Sequence, residues 1–314
     1  MAVHAPIVTL TMNPALDVSS TADRVVPEHK LRCGPSRFDP GGGGVNVSRA
    51  IRNLGGSSIA VYPLGGPTGH AYRGFIEEAG LVARVITIGG NTRESFTVDE
   101  LSTGDQFRFV LQGPTMREPE WRACLSVVAD ELPAGGFLVA SGSLPPGVPD
   151  DFYGMLAEIS GDHHVRLVVD ASGPALRHAL EAGVFLIKPS RDELAELVGA
   201  VGELDEPELV DAARVLVASG RAEVVALTLG ARGAVLVTRD EVLRLPTPHV
   251  RVASAVGAGD AFLGALVLRL AQGRTIGEAF RAAVAAGSAT AMQPATELCR
   301  AEDVARLEAD LAVA

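Results

Sequence analysis

Short apolar runs alternate along this chain with segments of helical periodicity. Residues 7–11, 59–64 and 137–140 predict strands, the last of them apolar on both faces. Apolar positions recurring at three- and four-residue intervals predict helices over 45–54, with Val45, Ala50, Ile51 and Leu54 inward, and over 71–79, 151–159 and 207–219. Residues 167–170, 184–187 and 224–228 read as further buried strands, and two more β segments at 234–237 and 242–245 lead into a small-residue loop. Strand–helix alternation of this kind predicts an α/β fold, a mainly parallel sheet with helices on both faces. Ligands in such folds gather at the carboxyl ends of the strands.

Two segments break the alternation. Residues 17–39 are polar and punctuated by proline, with short β-like pieces. Residues 92–112 predict a hairpin, 96–98 and 106–111 joined by the turn at 102–105, with Phe107, Phe109 and Leu111 alternating with more exposed positions. Together they predict a small β-sheet lid over one end of the main sheet, a device that excludes water from a reaction. The lid would expose an apolar face unless it pairs, which predicts a homodimer through the lid.

Composition narrows the function. The 314 residues are 47% hydrophobic, enough for a large core, and the net charge of −11 argues against a nucleic-acid partner. Three dispersed cysteines, Cys33, Cys124 and Cys299, suggest neither a disulfide framework nor a zinc site. No basic region precedes an apolar stretch at the N-terminus, and the longest uncharged runs are too short for a membrane span, so a cytoplasmic protein without membrane contact is expected. Of 27 basic residues only Lys30 and Lys188 are lysine. Arginine and lysine differ in reach and hydration, so a chain this biased retains lysine where exchange fails, or by chance on the surface.

The most informative stretch is Gly257-Ala258-Gly259-Asp260, followed by an apolar run that predicts a helix. Small residues leave backbone N–H groups unobstructed, and a helix start binds anions. An acid at that spot fits a hydroxyl whose proton it takes while the amides hold developing negative charge, the arrangement for moving a phosphoryl group onto an alcohol. A glycine loop simply capped by Asp260 fits equally well. A second glycine run, Gly41 to Gly44, opens the helix that carries Asn46. It matches neither the P-loop nor the dinucleotide fingerprint, and reads as a close approach to a polar ligand or as a tight turn.

These runs, with Gly142-Ser143-Leu144-Pro145-Pro146-Gly147, Lys188-Pro189 followed by Glu193, and Thr228-Leu229-Gly230 followed by Gly233, occur in an order and at spacings that resemble the PfkB-type carbohydrate kinases of the ribokinase superfamily, over nearly the whole chain. The N-terminal stretch 9–17 and the pair Lys30 to Cys33 and Gly41 to Gly44 are most similar to its 6-phosphofructokinase branch. The resemblance implies a ribokinase-like fold, one kinase domain over 1–314 with lid insertions at 17–39 and 92–112, and phosphorylation of fructose 6-phosphate at O1 by magnesium-ATP. Tagatose-6-phosphate kinase and 1-phosphofructokinase share all the motifs, and a non-catalytic sugar-phosphate or nucleotide sensor is the alternative of another class.

Carried over residue by residue, the resemblance makes Asp260 the base and the amides of Gly257, Ala258 and Gly259 the anion hole. Asp17, Gly42, Gly43 and Asn46 would hold sugar hydroxyls, and Arg93 with Ser143 and Arg32 would face the 6-phosphate. Lys188, Ser190, Thr228, Gly230, Gly233 and Lys30 would bind ATP, Lys30 by reaching nucleotide or sugar phosphate across a dimer, and Glu193 would orient magnesium through water. The chain departs from the family at Ser190, where asparagine is usual, and at Ala255, where a hydroxyl is usual. Ser254 and Val256 offer carbonyls for a monovalent cation, but the partner segment 293–297 is unlike the expected pattern, so potassium activation is doubtful.

Overall fold

The computed structural model describes residues 4–132, 134–200 and 202–313. In chain order the first half is β1 (Ile7–Leu10), β2 (Ala15–Ala22), β3 (Arg37–Gly41), α1 (Gly43–Asn53), β4 (Ile59–Leu64), α2 (Gly66–Glu78), β5 (Val82–Thr87), β6 (Arg93–Glu100), β7 (Gln106–Val110), α3 (Glu118–Glu131) and β8 (Phe137–Ser141). There follow α4 (Phe152–Asp162), β9 (Arg166–Asp170), α5 (Gly173–Ala182), β10 (Val184–Ile187), α6 (Arg191–Leu197), α7 (Glu206–Ala218), β11 (Ala222–Thr228), β12 (Ala234–Val237) and β13 (Val242–Leu245). Three helices, α8 (Ala258–Ala271), α9 (Ile276–Ala291) and α10 (Ala301–Val313), end the chain.

Nine strands of the described residues form the main sheet in the order β13-β12-β11-β10-β9-β8-β1-β4-β5, all parallel but β12, which runs antiparallel to both its neighbours. Alternating residues of one strand feed opposite cores, the pattern of a sheet covered on both sides. On β8, Leu138 and Ala140 pack with helices α3 to α7, while Phe137 and Val139 pack with α1, α8, α9 and α10. This is why those strands read as continuous apolar runs.

The expected helices are found with shifted ends. The helix predicted from residue 71 starts at Gly66, because Pro67 sits in the first turn, where its missing N–H costs nothing. Asp205 caps α7 by accepting from the Glu208 N–H, with Glu208 reaching back. α9 was not predicted: alanine-rich and largely buried between α8 and α10, it offers few polar side chains to mark a period. Edge strand β5 escaped notice because it is mostly open to solvent and carries an arginine and a threonine among its apolar residues.

The two segments that break the alternation form a second sheet, ordered β3-β2-β6-β7. The expected burial alternation on its outer hairpin is not found. Phe109, Val110 and Leu111 are 52%, 66% and 47% exposed, and Phe107 is half-buried. These hairpin side chains therefore stay open to solvent. Among the described residues no helix is long and apolar enough to cross a membrane.

Candidate active site

The ends of β1, β8, β9 and β10 lie side by side, with Leu10 opposite Ala140 and Ser141 opposite Asp170. The glycine run packs into this edge. Gly42 takes φ 121°, and a side chain on Gly43 would collide with the Ser141 hydroxyl. A side chain on Gly41 would collide with the Asp17 carboxylate. Only glycine lets the strand and the start of α1 approach this closely. The turn holds Asn46 over the cleft, where its Nδ2 donates to Asp260 Oδ2 at 2.9 Å.

Asp260 stands in the first turn of α8, after Gly257 in the left-handed conformation at φ 76°. The first amides of a helix have no carbonyl one turn back, so they face the cleft unpaired or turn to the loop. Of the three assigned to the anion hole, Ala258 turns to the loop, donating to Ala255 O at 3.3 Å. Burial pushes the Asp260 carboxyl up to about 7, helped by the charge of Asp170 and opposed by the Asn46 hydrogen bond and Lys188. A base poised near neutrality suits proton transfer from an alcohol.

Lys188, just past β10, is 8% exposed, and its Nζ lies 3.1 Å from Asp170 Oδ1. A Cβ on Gly259 would stand 3.2 Å from that Nζ, so the ammonium rests against the start of α8. Burial opposes its charge, but Asp170, Asp260 and Glu193 outweigh burial and hold its pKa above the ordinary lysine value. Asp170 also accepts from the Ser141 hydroxyl at 3.2 Å. The sequence reading missed Asp170 as a site residue. Its signal was an acid closing an otherwise apolar strand at its carboxyl end.

The cleft between the two sheets measures about 350 Å³ and is lined by Asp17, Gly42, Gly43, Asn46, Arg93, Ser143, Glu193, Val256, Gly257 and Asp260 among others. The lid adds Arg108, also missed from sequence; its charge, with those of Arg93 and Arg49, counters the burial that pushes Asp17 up to about 6. Arg93 is tethered: Nε and Nη2 donate to Asn13 O and Nη1 to Leu111 O. Ser143 Oγ accepts from Asn13 Nδ2 at 3.1 Å. Lys30 and Arg32 are not brought to this cleft; both are exposed in the loop between β2 and β3.

On the other side of Lys188, Ser190 caps α6. Its hydroxyl accepts from the Glu193 N–H at 3.3 Å, and Glu193 Oε2 accepts from the Ser190 N–H at 2.7 Å. The serine that replaces the family's asparagine is thus committed to the helix start, and Glu193 keeps one oxygen for the cleft it lines. Thr228 bridges to Ser190, and its N–H donates to Pro189 O at 3.0 Å. Gly230 and Gly233 take φ of 60° and 102° around a single 3₁₀ turn. Among the described residues no three His, Cys, Asp or Glu side chains gather as a metal cluster. One carboxylate oxygen at the cleft, that of Glu193, is a donor that a magnesium ion carried mainly by nucleotide phosphates and water would accept.

Ser254 is buried and its hydroxyl accepts from the Val256 N–H at 3.2 Å. The segment 293–297 is tied to the lid: Thr296 donates to Asp39, and Glu297 pairs with Arg37.

An acid at a helix start, a buried ammonium beside it and a lidded cleft on a ribokinase-like sheet suit phosphoryl transfer to an alcohol. The chain matches the model of the pfkB family of carbohydrate kinases over residues 5–303, and it belongs to that family. It is 45% identical over 300 residues to the ATP-dependent 6-phosphofructokinase isozyme 2 of Mycobacterium tuberculosis, covering 96% of this chain and 88% of that one. Against the isozyme 2 of Escherichia coli identity is 39% over 307 residues, covering 97% and 98%. The structure of that E. coli protein with fructose-6-phosphate superposes with a TM-score of 0.92 at 38% identity over 98% of this chain and 99% of the other. The 1-phosphofructokinase of Bacillus subtilis is 33% identical over 286 residues, 91% of this chain and 92% of its own length.

Proposed function

We propose that the chain, as one kinase domain with its lid, transfers the γ-phosphoryl group of ATP to O1 of fructose 6-phosphate in the cytoplasm. The observation that carries the reading is Asp260 in the first turn of α8, hydrogen-bonded to Asn46 and beside Lys188, at the floor of a cleft that also holds Asp17, Arg93 and Arg108. The high identity to two 6-phosphofructokinase isozymes supports the choice of sugar.

In this mechanism Asp17 and Asn46 hold the sugar hydroxyls, and Arg93, Arg108 and Ser143 face the 6-phosphate. Asp260 takes the proton of the attacking hydroxyl. The amides at the start of α8 and the Lys188 ammonium stabilise charge on the moving phosphoryl group. Thr228, Gly230 and Gly233 line the nucleotide. Magnesium, when bound, neutralises the phosphates of ATP, with Glu193 turned towards it. The E. coli protein has been solved in complex with potassium, which leaves a monovalent cation open to this chain; the Ser254 and Val256 carbonyls would be its ligands, and the segment 293–297 is tied to the lid.

ADP release with magnesium-ATP against fructose 6-phosphate, fructose 1-phosphate, tagatose 6-phosphate, fructose and ribose tests the reading. The highest kcat/KM is expected on fructose 6-phosphate. Preference for fructose 1-phosphate would move the chain to the branch of the B. subtilis relative, and no turnover on any sugar would make it a sensor.

The lid would pair with the lid of a second copy, covering Phe109 and Leu111 and bringing Lys30 and Arg32 towards the partner's cleft. A tetrameric inhibited form of the E. coli protein shows that this relative assembles. Size-exclusion chromatography should give a dimer at micromolar concentration. Phe109→Glu, which places a charge in the paired face, should give monomers with a raised KM for the sugar phosphate; a dimer unchanged by that substitution would place the interface elsewhere.

A further inference from the structure

Three residues after Asn46, on the same face of α1, stands Arg49. Its side chain is 13% exposed and meets acceptors from three parts of the chain. Nη1 donates to Asn46 Oδ1 at 3.0 Å and to Pro40 O at 3.3 Å. Nη2 donates to Asp39 Oδ1 on lid strand β3 and to Thr296 O, both at 3.4 Å. We propose that Arg49 is a positioning residue for phosphoryl transfer: it fixes which end of the Asn46 amide faces Asp260, and so keeps a donor against the base. The inference rests on the reading of Asp260 as that base.

The two ends of an asparagine amide are nearly equal in shape and opposite in hydrogen bonding. Asn46 spans Arg49 and Asp260, so its orientation is decided by whichever neighbour tolerates only one end. A guanidinium has donors and no acceptor, and Arg49 therefore takes the oxygen. The NH₂ group is left for Asp260, where it donates at 2.9 Å. Turned over, the amide would set NH₂ against the guanidinium and its oxygen against the carboxylate. Asp260 accommodates that arrangement only when it carries a proton itself, and a protonated acid cannot take one from the sugar hydroxyl.

The remaining groups around Asp260 do not replace this contact. Lys188 favours its charged form, but the ammonium is shared with Asp170, and both Asp170 and Asp17 oppose that form. Arg49 in turn is faced by Asp39, Tyr72 and Asp17 and by the like charge of Arg37. A guanidinium stays protonated throughout the pH range of an assay.

The test is the pH profile of kcat for the full-length protein with saturating substrates. Arg49→Met should move the acidic limb up by about one pH unit, a roughly tenfold loss on the limb that is recovered at alkaline pH. Arg49→Lys, which keeps a charge for Asp39 but cannot span all four acceptors, should shift the limb less while melting near the wild type. In an Asn46→Ala background, Arg49→Met should no longer move the limb, because the amide it orients is gone. A loss equal at every pH, or a limb that still shifts without Asn46, would overturn the proposal. Asp260→Asn in the same series separates the two readings. Full turnover there removes the base itself, whereas an unmoved Arg49→Met limb beside an inactive Asp260→Asn removes only the role of Arg49.

Discussion

Asp260→Asn should lower kcat by roughly 10²–10⁴-fold, because the variant keeps the shape of the base and loses its ability to accept a proton. The same substitution should stabilise the fold at alkaline pH. The carboxyl titrates at about 7 in the folded chain against 3.8 ordinarily, so between those values the folded state binds more protons than the unfolded one. Wild-type stability therefore falls as pH rises through that window, and an amide at this position escapes the loss. Melting curves should place Asp260→Asn above the wild type at pH 8 and bring the two together towards pH 4. Wild-type kcat should in turn decline below about pH 7 as the base becomes protonated. Near-wild-type turnover by the variant would remove Asp260 from the chemistry, and a stability gain of equal size at pH 4 and pH 8 would show that its carboxylate is not held against its own charge.

Lys188→Met should cost roughly 10²–10³-fold in kcat, the usual effect of removing one preorganised charge that meets the transition state. KM for ATP should rise with it. The acids Asp170 and Asp260 hold the Lys188 ammonium protonated despite its burial, so the wild type loses none of this contribution across the working pH range. Removing the cation takes away an interaction that favours ionised Asp260, and the acidic limb of kcat should move upwards. Lys188→Arg should not restore the rate, since the site is 8% exposed, closes on Gly259 and has no room for a planar fork. Full activity in the arginine variant would reduce Lys188 to a generic positive charge.

Much of this architecture was legible in the chain because its cause is local. The runs at 137–140, 184–187 and 234–237 read directly as β8, β10 and β12, since a strand covered on both faces must be apolar throughout, and 242–245 read as the half-exposed edge strand β13. The two glycine runs announced the close approaches at Gly41 to Gly43 and the left-handed turn at Gly257, because few other residues tolerate either. The lysine bias pointed to Lys188, which the fold buries against Asp170, and equally to Lys30, which lies exposed on the lid loop.

What the chain could not announce is whatever depends on distance in space. Asp170 became a site residue only when β9 was laid between β8 and β10, and Arg108 only when the hairpin folded over the cleft. That the Ser190 hydroxyl caps α6 became visible only with the fold. Nothing in the sequence marked Arg49, whose place follows from Asp39, Pro40 and Thr296 closing around it. The sequence by itself determined most of the strands and the glycine turns and singled out Asp260 at a helix start, since each follows from the backbone freedom or burial of a few neighbouring residues. The tertiary structure decided which charges face that acid and which way its asparagine partner points, because those energies depend on groups brought together from segments as far apart as residues 46 and 260.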